Sequence, residues 1–470
     1  MNSAADFPVV LPVARLLCLA SLCSACVGDT EKVDTAPIDS CPTFTDAPTD
    51  HSGFIEADET WAAGPHTVSG TVTVRGAVTL TIAPCASVAL AADQSIAVDE
   101  GGARLIAEGM PDQRITFTRN DPAVAWGNLS VVAPSKVSLA YATLTGGGGT
   151  STDPLNAEGA GATLMGRNQQ GQPYDTLWVD HVTIEGSTGL GVLLDSTGFI
   201  AGSNELTVTG SGRNPVYLGA GFATHLPVGH YSGNADDRFL LQEVGAASYS
   251  NSEPILADAT IPERGLPYLV GAEGTYPSIL VGDGREESPN ATLTLEPGVE
   301  LLFQGGEVSS GGLRVSGKSV YPNWAAQGSI VARGTAAKPI VMRSAEEPPR
   351  PGDWQGLYFQ HVVSPSSALS FVQVSNAGGE SLTSGVCVAA PGAENYDADC
   401  SVVMSLEEAP GASFITDSTF ADGQACGIYR GWTGAAVDFS ATNTFTNLSG
   451  CDQSNVYDDA ARECSGGTCE

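Results

Sequence analysis

The string Gly312-Leu-Arg-Val-Ser-Gly-Lys318-Ser319 has the glycine, lysine and hydroxyl spacing of a phosphate-cradling loop. Such a loop works only between a buried strand and a helix whose N-terminal amides meet the phosphates. Pro322 follows closely and no helical periodicity begins, so the string predicts a strand and turn within a loop insertion, and no nucleotide. Nucleophilic constellations are missing more simply: there is no Gly-x-Ser-x-Gly and no His-Glu-x-x-His. The six histidines (His51, His66, His181, His225, His230 and His361) are scattered. No CxxC pair and no histidine at ligand spacing names a metal site. Val281-Gly-Asp-Gly-Arg285 and the pair Asp236-Asp237 lack EF-hand spacing, which leaves weak Ca²⁺ binding as the extent of any cation chemistry. No catalytic residue and no cofactor follows from these residues.

Aromatic side chains offer binding instead. Tyr321 and Trp324 sit beside Pro322 and Asn323 in a stretch rich in turn residues. Exposed on a loop, they would stack on sugar rings or anchor a protein partner; turned inward, they would plug the fold. They are the ligand-binding candidates.

Cysteines report the compartment. Of 11 in all, Cys18 and Cys23 lie in an N-terminal apolar segment and Cys26 ends it. The eight that remain are Cys41, Cys85, Cys387, Cys400, Cys426, Cys451, Cys464 and Cys469. An even number in an exported chain predicts disulfides. Pairing of sequence neighbours is the expectation: Cys41–Cys85, Cys387–Cys400, Cys426–Cys451 and Cys464–Cys469.

Twenty Lys+Arg against 53 Asp+Glu leave a net charge of −33 over 470 residues. That excess repels phosphate backbones and anionic membranes, which excludes nucleic acid as a partner. Only 16% of residues are charged and 56 are glycine, a composition of polar uncharged faces and frequent turns.

The elements that must position any site come from an internal duplication. Ala57-Asp-Glu-Thr60 recurs as Ala257-Asp-Ala-Thr260, an offset of 200. Val78-Thr-Leu-Thr-Ile82 recurs as Ala291-Thr-Leu-Thr-Leu295 at 213, and Ala107-Glu-Gly109 as Ala332-Arg-Gly334 at 225. Trp126-Gly-Asn-Leu129 matches Trp354-Gln-Gly-Leu357 at 228, and Leu139-Ala-Tyr-Ala-Thr-Leu144 matches Leu369-Ser-Phe-Val-Gln-Val374 at 230. The offset only grows, so the second copy carries insertions, chiefly around 281–290 and 305–327. A finer period runs inside each copy: 24 residues from Ile82 to Ile106 and from Ile184 to Val208, and 25 from Phe420 to Phe445. Strands such as Leu177-Trp-Val-Asp-His-Val-Thr-Ile184 alternate side chains in and out.

A 24-residue unit of short strands cannot bury its apolar face alone; stacked on copies of itself at ~4.8 Å it makes a continuous dry column. Over roughly residues 55–460 this pattern resembles the right-handed parallel β-helix of the pectate-lyase-like superfamily. An all-β fold of two related tandem β-helix modules is therefore expected. An antiparallel sandwich or a propeller is the alternative; propeller blades would need a period near 40 residues, which is not present. The resemblance implies, for an enzyme, several Asp on one sheet around Ca²⁺ with an Arg or Lys as base; Asp180, Asp195, Asp417, Asp422 and Arg430 are the residues that could take such roles. Asp180 and Asp417 read more simply as outward or turn residues of ordinary coils.

Residues 1–26 form an export signal: Arg15, the apolar run Leu16–Leu22, then Cys23-Ser-Ala-Cys26. The ending resembles a bacterial lipobox, with Cys26 as the acylated residue, although Cys23 stands where Leu is usual. The expected organisation is signal peptide 1–26, disordered tether 27–54, module one 55–250, and module two 251–470 with a Cys-rich end. The expected function is that of a non-catalytic outer-membrane lipoprotein, surface-exposed or secreted. It would be a scaffold or adhesin-like solenoid held to the membrane only by its lipid, binding polysaccharide or a cell-surface protein. The alternative is a carbohydrate-active lyase or hydrolase, which requires three or more carboxylates on one outer face beside an Arg or Lys.

Overall fold

A computed structural model describes residues 40–99, 101–150, 161–168, 174–241, 254–271, 278–283, 288–305, 311–318, 327–379, 399–458 and 463–464. Over these residues the chain is a parallel β-helix: its strands pair in parallel throughout, apart from a terminal antiparallel hairpin of Tyr457–Asp458 with Glu463–Cys464.

Three faces build each coil of the first module. Face a climbs through Glu59–Trp61, Thr79–Ile82, Arg104–Glu108, Lys136–Ala140 and the first half of Tyr174–Glu185. Face b climbs through Gly64–Val74, Ala86–Leu90, Ile115–Arg119, Ala142–Thr145 and the second half of Tyr174–Glu185. Face c runs from the end of Gly64–Val74 through Ile96–Val98, Leu129–Val132, Leu164–Arg167, Val192–Asp195 and Val216–Leu218. The period-two alternation decides which side chains enter the column. On face b, Val88, Phe117, Leu144, Ile184 and Val208 stack in register, each at most 1% exposed. Their neighbours Ala89, Thr116, Thr143 and Thr183 face outward.

The second module repeats the first strand for strand, down to its hydrogen bonds. Asp58 Oδ1 accepts from the amide of Thr79 at 2.8 Å, and Asp258 Oδ1 from that of Thr292 at 2.9 Å. The amide of Gly109 donates to the Ala140 carbonyl at 2.8 Å, and that of Gly334 to Ser370 at 2.8 Å. Buried Trp126 and Trp354 each donate from the indole to the carbonyl that ends the next face-b strand, Thr145 at 2.9 Å and Ser375 at 2.8 Å. The left-handed residue that follows is Gly146 (φ 75°) in one module and Asn376 (φ 61°) in the other, a conformation that glycine and Asn tolerate best.

At the junction the ladder does not break, but it changes phase. Val216–Leu218 of face c pairs with Phe239–Leu241, then Tyr268–Val270, then Glu300–Phe303, and the last of these is a face-b strand of module two. The original face b ends at Gly229–His230. A new face starts at Ile255, bridged to Val281, and continues through Gly312–Ser316, Gly356–His361, Val402–Leu406 and Ile428–Gly431. The face-c ladder of the first module thus becomes the face-b ladder of the second.

The through-running sheet is apolar on both sides. Met165, Leu193, Tyr217, Leu240, Leu269 and Leu302 stack in register on its outer side. None is more than 7% exposed, and with Ala162 and Leu190 they form a second hydrophobic cluster. This is the pattern of a sheet covered on both faces. It explains strands that read as unbroken apolar triplets, such as Val192-Leu-Leu194 and Phe239-Leu-Leu241.

Several expectations change. Residues 40–54 do not belong to a tether: Thr49–Ile55 is the first strand, paired with Gly64–Val74, and Cys41 is bonded to Cys85 as expected. Cys400 bonds Cys426, with Cα atoms 4.5 Å apart, so the pairings Cys387–Cys400 and Cys426–Cys451 are corrected. The reason is geometric: in a solenoid the spatial neighbour is one coil away, here 26 residues, whatever lies nearer in sequence. Cys451 is itself disulfide-bonded. Cys387 and Cys469 lie outside the described residues, and Cys464 is placed only through its backbone in the terminal hairpin. Gly312–Ser316 is an integral rung between Ile279–Val281 and Gly356–His361, not part of a loop insertion, while Lys318 bridges Val362 beyond its end.

Candidate functional site

The expected site residues Cys26, Tyr321 and Trp324 lie outside the described residues, as do most of the insertions around them. The carboxylates singled out by the sequence are dispersed. Asp180 and Asp417 sit at the turn from face a to face b in different modules; Asp180 is taken by His181 at 2.8 Å. Asp195 ends a face-c strand, and Asp422, at the end of a face-b strand, accepts from Asn447 at 3.1 Å. Arg430 is 1% exposed, pointing inward to the carbonyls of Ser454 and Val437. Among the described residues no three His, Cys, Asp or Glu side chains converge on a possible metal position, and no helix is long and apolar enough to cross a membrane.

What the fold does form is an open groove of about 750 Å³ on face a of module two. Its floor is one outward row, Arg333, Ser370 and Thr416, in register on three successive coils. Ala332, Leu369 and Ile415 alternate with them into the core. One wall is the turn Val363–Ser367, held by the Ser367 amide donating to the Ser364 carbonyl at 2.9 Å. The other is Pro410–Phe414. There the Phe414 carbonyl accepts from the Leu369 amide at 2.8 Å, and its ring packs edge-on against Phe359 and Phe439 at 5.1 and 5.9 Å. Both walls are hydrogen-bonded to core strands, the first through the Ser367 hydroxyl, which accepts from the Ile330 amide at 3.3 Å.

Phe371 stands at the groove edge, 37% exposed. It occupies the single residue between two strands, Ala368–Ser370 and Val372–Ser375, in the left-handed region at φ 51°. Its carbonyl accepts from the Ile340 amide at 3.0 Å. Module one makes the same corner with Tyr141 (φ 43°), whose carbonyl accepts from Ile115 at 3.1 Å. There, however, His181 from the next coil stacks on the Tyr141 ring, 4.6 Å between centroids. In module two the next-coil position belongs to Asp417 (φ 51°), and among the described residues no ring covers Phe371. One residue difference between the copies opens the aromatic face.

The groove therefore presents an apolar platform (Phe371, Pro365, Pro410), a set of hydroxyls (Ser370, Ser413, Thr416) and two charges, Arg333 and Asp417. Neither charge makes an ion pair among the described residues. A single carboxylate and no histidine line it, so the arrangement can stack on and hydrogen-bond a ligand but offers no acid–base pair to break one. Phe371 was not among the expected binding residues; its signal lies in Leu369-Ser-Phe-Val-Gln-Val374, where the apolar phase resets at one residue, as at a turn with its ring outside. The same alternation puts Trp178 on the outer side of face a, beside Ser138 of the neighbouring coil; Trp61, Trp126, Trp354 and Trp432 are buried.

No protein-family model, curated protein or solved structure matches the chain.

Proposed function

We propose that this chain is a non-catalytic, envelope-tethered β-solenoid that binds polysaccharide through the groove on its second module. The observation that carries the reading is the uncovered Phe371 ring beside a row of hydroxyls in a groove whose walls are hydrogen-bonded to core strands. Sugar rings present an apolar C–H face and a rim of hydroxyls, and this combination of aromatic platform and small polar side chains suits both. The apolar run ending at Cys26, an acidic composition and the disulfides Cys41–Cys85 and Cys400–Cys426 support an exported, lipid-held location. A carbohydrate-active enzyme has less support, because its carboxylates would have to act from separate corners and from two modules.

The test is a glycan array probed with the full chain and with Phe371→Ala. Binding to at least one glycan family, weakened roughly tenfold by the substitution, is expected; that corresponds to ~1.4 kcal/mol for one well-placed aromatic contact. Binding that Phe371→Ala leaves unchanged would remove the groove from the proposal. Time-dependent cleavage of a bound glycan would replace the reading with the enzymatic one.

A further inference from the structure

Arg333 and Asp417 stand at opposite ends of the groove floor. Arg333 lies on the first of the three coils, in register with Ser370 and, through it, with Thr416. Asp417 follows Thr416 on the third. Two coil steps of ~4.8 Å separate them along the axis by about 10 Å. Both line the groove, and neither has a charged partner among the described residues. Three arginines elsewhere are ion-paired, Arg238 with Asp236 at 2.7 Å, Arg343 with Glu300 at 2.8 Å and Arg264 with Glu296 at 3.7 Å, whereas Arg104 and Arg213, like Arg333, make no ion pair among the described residues. In a chain with 53 acidic residues against 20 basic ones, Arg333 is the cation that lines the groove, and it does so without an acidic partner among the described residues.

We propose that the groove selects a glycan bearing both an ammonium and a carboxylate, laid along the solenoid axis. Its carboxylate would lie at Arg333, its ammonium at Asp417, and its sugar face on Phe371. This inference rests on the polysaccharide reading and sharpens its ligand. A polyanion would satisfy Arg333 but meets the field of a chain with net charge −33. A polycation is drawn to the chain everywhere, and at this groove Arg333 repels it, which turns general attraction into discrimination. Only a ligand carrying both charges meets each end with its complement. Exposed charges of this kind contribute more to choice of partner and orientation than to affinity.

Three polymers separate the cases: heparosan, which carries carboxylates; chitosan oligomers, which carry ammonium groups; and N-deacetylated heparosan, which alternates the two. The full chain is expected to bind the N-deacetylated polymer at least tenfold more tightly than either other probe. Asp417→Asn should bring its affinity for that polymer to within about twofold of heparosan. Arg333→Gln should do the same relative to chitosan. Both substitutions are on the surface, and circular dichroism checks that the fold persists. Equal binding of all three polymers, or preferences that survive both substitutions, overturns the inference. If that equal binding is lost in Phe371→Ala, the polysaccharide reading still stands. Failure to bind any glycan overturns that reading itself.

Discussion

The indole nitrogen of Trp126 donates to the carbonyl oxygen of Thr145 over 2.9 Å, tying the start of one face-c strand to the end of the face-b strand that follows it in the chain. Trp354 and Ser375 make the same bond at 2.8 Å in the second module. Both indoles are fully enclosed, so each fills a corner of its coil and satisfies a carbonyl that the ladder leaves over. Truncating either to Ala should cost ~3–5 kcal/mol of unfolding free energy, and Trp→Phe should cost less: ~1 kcal/mol for the missing hydrogen bond plus a contribution from the lost volume. Denaturant unfolding of the four variants checks this; a Trp126→Ala chain as stable as the parent would show that the corner closes without it.

Cys400 and Cys426 join successive coils in register, beside the Ser401 amide that donates to the Cys426 carbonyl at 2.9 Å. Peptide mapping under non-reducing conditions should recover Cys400 linked to Cys426 and no Cys387–Cys400 peptide. Replacing both with Ser should destabilise the chain by ~2–4 kcal/mol.

The outer stripe on the through-running sheet makes a sharper claim. Leu240 and Leu269 point away from the column, yet they are 3% and 6% exposed. Leu240→Ala should cost ~2–5 kcal/mol, as an interior leucine does, whereas Thr81→Ala on the outer side of face a should stay within ~0.5 kcal/mol. Equal, small effects at both positions would mean that the stripe is not packed.

His51 gives the first coil a pH dependence. It stacks on Trp61 at 3.9 Å, contacts His66 at 3.0 Å through ring nitrogens, and lies 3.7 Å from Glu59. The Ala62 carbonyl accepts from His66 Nε2 at 2.7 Å, which leaves His66 Nδ1 to accept from His51. Burial, and then the neighbouring His66, hold the His51 pKa below its ordinary value despite Glu59. The unfolded chain therefore takes up this proton before the folded one does. The contribution of His51 to stability is full above pH ~6.5 and is lost as pH falls from there toward the folded pKa. Unfolding midpoints measured from pH 7.5 to 5 should fall more steeply for the parent than for His51→Asn; parallel slopes would exclude His51 as the group responsible.

Much of this protein was written in local pattern. The 24-residue period and the alternation in strands such as Thr79–Ile82 specify a stacked parallel β architecture, because a coil can hide its inward side chains only against another coil. The repeated Asp58/Asp258 and Trp126/Trp354 positions specify two modules with the same corners. Phe371 as an outward ring follows from the same alternation, and the unbroken triplets of the through-running sheet imply a second buried side. What the sequence could not determine is whatever depends on which coil lies against which. Cys400 finds Cys426 because stacking brings residues one coil apart to 4.5 Å, a distance invisible in linear order. The hand-over of the face-c ladder to face b through Val216–Leu218, Phe239–Leu241 and Tyr268–Val270 depends on which ladder the chain rejoins after Leu241. The groove exists because wall turns far apart in sequence converge on one row, and because Asp417 rather than a ring falls over Phe371. Alternation sets the side a residue faces; only the stacking of coils sets its company.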